Sequence, residues 1–469
     1  MLPSMRADAL TEAVLHFAVA SHSLPETVLD SDAYAWDEYE GVRYAFLHTT
    51  MALRGLAGRL HEERFRSNCP VTLAQHALAE HHAAFRDFQS LLLGVPDELI
   101  ATSPKPDEWP IRTVLLHVHE TERYFFAAIM NALDESEMHE PTETEAAAIV
   151  GEPEMLPRDL PLADLWANFE RTHDLIVDRL EGLTDDELTT PATMWEHRPM
   201  PILFRMQRFA AHLREHTNQL EKTLHWLGHA PSEARLLLRQ MLAALAEVEG
   251  VRFGMGEMGQ VACDKLAVEL EARLTDLRDA LAQNETMLNA VRTNDVAAAK
   301  ALLHARPALA RTIMEDGLSA VLYSHYRGHS EMVDALLASG MRLPMTESAA
   351  LGETARVRRI LEYSKEYANS MARDGFTALQ LACYFAHPEV AQLLLESGAD
   401  VHTVSRNGSQ LQAIHSAVAG RNAEVVKLLI DAGADVNARQ EGGFTPLMAA
   451  VQNGDAEIEA LLRTAGAAE

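Results

Sequence analysis

The stretch Ala211-His-Leu-Arg-Glu-His-Thr-Asn-Gln-Leu220 places two histidines, His212 and His216, four residues apart. It lies inside an apolar pattern of helical period that runs from about 201 to 227. Residues four apart on a helix share a face, roughly 6 Å from each other, so two imidazoles there can chelate one divalent ion. An isolated pair of this kind is more often packing than a site, and in a chain with 22 histidines those among His76, His81 and His82 read as chance pairs ahead of a second shell. A third histidine changes the balance. His117 sits in Trp109-Pro-Ile-Arg-Thr-Val-Leu-Leu-His-Val-His119 on a second predicted helix, and with the pair it would complete a three-nitrogen site with positions left for water or substrate.

Working outward, residues 70–229 read as four amphipathic helices, at about 71–93, 109–131, 162–182 and 201–227, with an acidic, proline-bearing loop from Asp134 to Pro161. Pro110 falls in the first turn of the second helix, where its missing N–H costs nothing. Gly228 and Pro231 form a stop signal. Four helices with one long loop make a bundle, and bundle cores are where metal sites are built. Ahead of it, 1–66 suggests two helices, about 6–21 and 39–64, broken by Pro25 and Asp30-Ser-Asp32. After it, 231–284 reads as a helical hairpin with Leu266, Leu270, Leu274, Leu277 and Leu281 in helical register. Its turn holds Gly254-Met-Gly-Glu-Met-Gly259, a literal GxGxxG without the preceding strand that a dinucleotide site needs.

Residues 285–469 repeat. Asp374-Gly375, Asn407-Gly408 and Gly442-Gly443 recur with second glycines 33 and then 35 residues apart, Gly398-Ala-Asp-Val401 returns as Gly433-Ala-Asp-Val436, and Glu389-Val-Ala-Gln-Leu-Leu-Leu395 returns as Glu424-Val-Val-Lys-Leu-Leu-Ile430. A period near 33 with helix–turn–helix content resembles the ankyrin family, and Thr377-Ala-Leu-Gln380 and Thr445-Pro-Leu-Met448 match its Thr-Pro-Leu-His element. About six repeats are expected. Residues 287–314 look like a cap, 346–373 lack the finger consensus, and the fifth repeat carries two extra residues before Ala413-Ile-His415. The resemblance implies protein recognition through finger loops and inner helices, which here would present Arg373, Phe376, Tyr384, Phe385, Arg406, Phe444 and Gln452.

The bundle, taken as 67–230, resembles the DinB/YfiT-like metalloenzyme superfamily. The residues that carry the likeness are Trp109, then His117 in Leu115-Leu-His-Val-His-Glu-Thr-Glu122, then His212-x3-His216 followed by Gln219-Leu220. The resemblance implies His117, His212 and His216 as ligands of a divalent metal (zinc, nickel, iron or manganese), with Asn218, Gln219, Thr121 or Glu122 orienting a ligand or substrate. It also implies an activity class, since members of the family include thiol S-transferases that use low-molecular-weight thiols, and it implies pairing as homodimers. No catalytic residue is assigned beyond the metal ligands.

The expected architecture is therefore all-α: an N-terminal helical extension (1–66), a DinB-like four-helix bundle (67–230), a helical hairpin linker (231–284) and an ankyrin-repeat solenoid (285–469). Several functions are disfavoured. A formal charge of -29 opposes binding to nucleic acid or to an anionic membrane surface. No run approaches the roughly 18 apolar residues of a membrane span. Three scattered cysteines, Cys69, Cys263 and Cys383, suggest a reducing, cytoplasmic compartment, and none pairs as CxxC. His119-Glu120 opens an HExxH that fails at Arg123, and the acidic clusters Glu143–Glu145 and Asp185–Glu187 read as solvated loops. Two function classes stay open: a metal-dependent transferase or hydrolase of a small molecule with repeats that bind a protein, or a non-catalytic ankyrin scaffold whose bundle is structural or ligand-sensing.

Overall fold

The computed structural model describes residues 8–29, 41–134, 139–151, 156–157, 159–193 and 198–468. The expected Asp30–Asp32 break, the first residues of the two N-terminal helices and parts of the 134–161 loop lie outside them. The described chain is helical almost throughout and forms two compact units, one ending near residue 279 and the other running from there to the C-terminus.

The first unit is built on α1 (Ala9–Ser21), α2 (Val42–Arg66), α3 (Leu73–Leu92), α4 (Ile111–Leu133), α5 (Leu162–Leu180), α6 (Ile202–Trp226) and α7 (Glu233–Arg252). Helices α3 to α6 are the four bundle helices, within two residues of the expected limits. Their capping explains where they start. Thr72 and Gln75 close a reciprocal capping box at α3, while Pro110 and Pro201 stand just ahead of α4 and α6, one residue earlier than the first-turn position expected for Pro110. The α3 helix packs on α6 on one side and on α7 on the other, and α7 also packs along α2. The apolar core runs through Phe85, Phe88, Phe125, Trp166, Phe169 and Phe209, all essentially inaccessible.

Two features of this unit were not expected. The segment after residue 231 is built into the unit: α7 covers α2 and α3, and the buried Arg64 fastens the ends together. Its guanidinium donates to the carbonyls of Val251 (2.7 Å), Phe253 (2.8 Å), Cys69 (2.9 Å) and Pro70 (3.1 Å). In the glycine-rich turn, Gly254 has φ +74° and a Cβ there would meet the Gln75 amide at 2.0 Å, so its glycine serves packing. The acidic clusters also form helices. Thr142 caps Glu143–Val150 and Thr184 caps Asp185–Leu188, each with the glutamate three residues on closing a capping box. A two-stranded antiparallel ribbon pairs Pro191 with Pro201 and Ala192 with Met200, just before α6.

Helix α8 (Gln260–Thr293) begins in the first unit, where Leu266, Leu270, Leu274 and Leu277 are buried, and ends in the second, where Met287 and Val291 join the core of the first repeat with Ala299 and Leu303. Five helix pairs follow: Ala320–Tyr326 with Ser330–Leu337, Met345–Ala350 with Thr354–Tyr363, Ala378–Tyr384 with Pro388–Glu396, Ala413–Ala419 with Ala423–Asp431, and Pro446–Asn453 with Ala456–Thr464. Fingers close by backbone bonds from Met314 N to Leu318 O (2.7 Å), Ala372 N to Phe376 O (2.8 Å) and Gln440 N to Phe444 O (3.0 Å). The fourth closes from Ser405 N to Leu411 O (2.8 Å), two residues longer, where the extra residues were expected. Thr377 and Thr445 cap their helices as the Thr-Pro-Leu-His element requires. Gln380, at the histidine position of that element, donates to Leu411 O (2.6 Å) and Thr403 O (3.2 Å), tying its repeat to the next finger. All three cysteines are free, and no described helix is long and apolar enough to cross a membrane.

Candidate metal centre

Helix α4 carries His117, and α6 carries His212 and His216 one turn apart. The two helices pack face to face, and the three rings meet between them. His216 Nε2 lies 3.1 Å from His212 Nε2, and His117 Nε2 lies 3.3 Å from the same atom. Three imidazole nitrogens held about 2.0–2.1 Å from one ion at tetrahedral angles stand roughly 3.3 Å apart, so the spacing suits a divalent metal. His212 and His216 are buried and His117 is half-buried, which leaves an approach from the His117 side.

The electrostatics favour neutral imidazoles at His212 and His117. Burial, then the neighbouring His216 and His117 and the Arg208 guanidinium, push His212 down to about 3. Burial first and His216 second also lower His117. Neutral imidazoles offer a lone pair, the form a metal takes. Gln219 Oε1 lies 2.7 Å from His216 Nδ1 and accepts a hydrogen bond from its N–H, which leaves the His216 Nε2 lone pair directed at the other two rings.

Trp109, at the start of α4, forms the wall of the site. Its ring lies parallel to His216 at 6.3 Å and edge-on to His117 at 5.1 Å. Beside it opens a cleft of about 360 Å³ lined by Trp109, Arg112, Thr113, Leu116, His117 and Glu120. The Arg112 guanidinium is tied to the Leu160 carbonyl, and Glu120 supplies the carboxylate of the cleft.

The other expected orienting groups divide. Gln219 touches a triad imidazole. Asn218 is exposed, and Glu122 turns to the other side of α4, where Oε1 meets His81 Nε2 at 2.8 Å. Of the histidines read as chance pairs, His76 is exposed, but His81 and His82 are buried in a polar cluster with Glu122 and His173.

In the repeats, Arg373, Tyr384, Arg406, Phe444 and Gln452 are exposed. Phe376 and Phe385 are partly buried against Leu322, Ala350 and Leu381, and Phe385 also stacks near His325 and Tyr326, so these two rings pack between repeats.

Comparison with known proteins agrees with this architecture. A family model described as the DinB superfamily matches residues 80–220, and ankyrin-repeat models match 287–405, 382–430 and 422–462. Among curated proteins, the chain is 30% identical over 203 residues to "E3 ubiquitin-protein ligase XBAT32" of Arabidopsis thaliana, covering 40% of this chain and 37% of that one. It is 29% identical over 216 residues to "Probable E3 ubiquitin-protein ligase XBOS32" of Oryza sativa subsp. japonica, covering 40% and 38%. It is 40% identical over 60 residues to the human "NAD-capped RNA hydrolase NUDT12", 13% of each chain. The chain thus spans less than two fifths of the length of the curated relatives it matches. By its family matches, this chain joins a DinB-superfamily domain at 80–220 to ankyrin repeats across 287–462.

Proposed function

We propose that the bundle is a divalent-metal centre held by His117, His212 and His216, that it acts on a small molecule in the Trp109 cleft, and that the repeats bind a protein partner. The observation that carries this reading is the convergence of three Nε2 atoms, two of them on buried rings, beside an open cleft. A packing role gives no reason for three imidazoles to turn their nitrogens on one another.

When bound, a divalent ion would supply a Lewis acid able to activate a thiol or a water molecule as nucleophile. The chain's own groups do the rest. Gln219 fixes the His216 tautomer, Trp109 covers one side of the rings and limits water, and Glu120 offers a carboxylate in the cleft that can accept a proton. Thiol transfer is the reaction we favour, with hydrolysis second. The exposed Arg373, Tyr384, Arg406 and Phe444 are the residues we assign to the partner surface. The ligase activity named for the plant relatives is not part of this reading, because the match covers only 37–38% of those proteins.

A spectroscopic experiment tests the reading. The full chain is loaded with cobalt(II) and titrated with a low-molecular-weight thiol. A sulfur-to-cobalt charge-transfer band should grow with thiol and be absent from the H212A/H216A variant. A cobalt-loaded protein whose spectrum ignores thiols, together with no metal-dependent hydrolysis of ester or amide probes, would leave the scaffold reading in its place.

A further inference from the structure

A second polar cluster lies in the bundle, on the other side of Phe125 and Phe209 from the triad. Phe125 packs edge-on to His212, Phe209 packs edge-on to Phe125, and Phe209 stacks on His81. His81 from α3, Glu122 from α4 and His173 from α5 are each at most 1% exposed, and one ligand atom from each lies within 4.8 Å of the others.

Glu122 is the anomaly. Its Oε1 lies 2.8 Å from His81 Nε2, Oε2 has no hydrogen-bond partner, and no lysine or arginine pairs with it among the described residues. A carboxylate in apolar surroundings needs a compensating positive charge. His81 Nδ1, also buried, lacks a partner too.

The third ligand is oriented from behind. Glu249 accepts from His82 Nε2 (2.7 Å) and from both Nε and Nη2 of Arg86 (3.0 and 2.7 Å). An ionised Glu249 makes His82 Nε2 the donor, so a neutral His82 accepts at Nδ1 from His173 Nε2, 2.9 Å away. His173 then has Nδ1 as its basic nitrogen. This is the carboxylate–histidine arrangement that orients metal ligands, lengthened by one ring. A cavity of about 290 Å³ lined by Thr11, His82, Arg86, Glu249 and Arg252 opens at the outer, His82–Glu249 end of this chain.

We propose that His81, Glu122 and His173 form a second divalent-cation site, separate from the histidine triad. Two imidazoles and one carboxylate suit zinc, iron(II), cobalt(II) or manganese(II). A cation there would add positive charge beside the Glu122 carboxyl, whose one hydrogen-bond partner is His81.

The test uses zinc binding by equilibrium dialysis with the full chain. The H212A/H216A variant should retain one zinc per chain, and adding Glu122→Gln should remove it. Glu122→Gln alone should keep the zinc of the triad. Zinc should also raise the melting temperature of H212A/H216A, a readout that does not depend on the Glu122 variant folding. A H212A/H216A protein that is folded by circular dichroism, binds no zinc and shows no zinc-dependent shift would overturn this site and leave the triad intact. One zinc in both the wild type and H212A/H216A would support this site and remove the triad.

Discussion

Gln219 Oε1 lies 2.7 Å from His216 Nδ1, one helical turn along α6. That bond decides which His216 nitrogen faces His212 and His117. Hydrogen-bond partners of metal ligands are worth roughly 10- to 100-fold in affinity. Gln219→Ala should weaken metal binding by about that factor, measured by competition with a chelator, while the melting temperature of the metal-free protein stays nearly unchanged. Unaltered affinity would show that packing alone sets the His216 ring.

Trp109 lies 5.1 Å from His117 and 6.3 Å from His216 between ring centres. A paramagnetic ion bound by the triad would sit close to this indole and quench its emission. Nickel(II) should therefore lower the tryptophan fluorescence of the wild type. Trp109→Phe should lose most of that quenching and still bind nickel by dialysis. Equal quenching in the two proteins would place the ion elsewhere.

The buried Arg86–Glu249–His82 group sets an acid limit on stability. Burial alone would raise the Glu249 pKa, but the Arg86 guanidinium and then His82 outweigh it and hold the carboxylate well below the usual range. Burial lowers His82, with Glu249 opposing. Both groups bind protons more readily in the unfolded chain, so both stabilise the fold at neutral pH and lose that contribution on acidification. The His82 part fades below pH 6.5 and the Glu249 part below pH 4.5, their ordinary values. The melting temperature should fall steadily from pH 7 to pH 4. Glu249→Ala, which removes the closer carboxylate of buried Arg86 and leaves it only Glu170 at 3.9 Å, should cost up to about 3–5 kcal/mol at pH 7 in chemical denaturation and flatten the pH dependence. A profile as steep as the wild type would contradict this.

Two glycines in the repeats separate backbone strain from close approach. Gly375 has φ +83°, and a Cβ there would meet Asn407 N at 2.7 Å, whereas Gly398 has φ +93° with nothing within 4 Å. Gly398→Ala should cost roughly 1–2 kcal/mol from the left-handed backbone alone. Gly375→Ala should cost more, because it also pushes one finger off the next. Equal losses in melting experiments would mean the fingers can separate freely.

Legibility followed locality. The triad could be read because His212 and His216 share one helix turn and Trp109 fixes where the helix bearing His117 begins. The repeats could be read because glycine turns and Thr caps act within a few residues, and even the longer finger at 405–411 showed as two extra residues. The pairing of His81 with Glu122 and His173 could not be read. It depends on the rotation of three helices about their axes, and no spacing within one helix encodes it. The packing of α7 on α2 was hidden for the same reason, since the carbonyls that bind Arg64 belong to residues nearly two hundred positions away. The helical turns at 143–150 and 185–188 were legible in Thr142-x-x-Glu145 and Thr184-x-x-Glu187, where acidity masked two capping boxes.

The most direct test of the triad is metal content by elemental mass spectrometry, run on the purified wild type and on H212A/H216A after incubation with zinc and desalting. The wild type should hold one zinc per chain more than the variant. Equal zinc in two folded proteins would contradict the histidine triad as a metal centre.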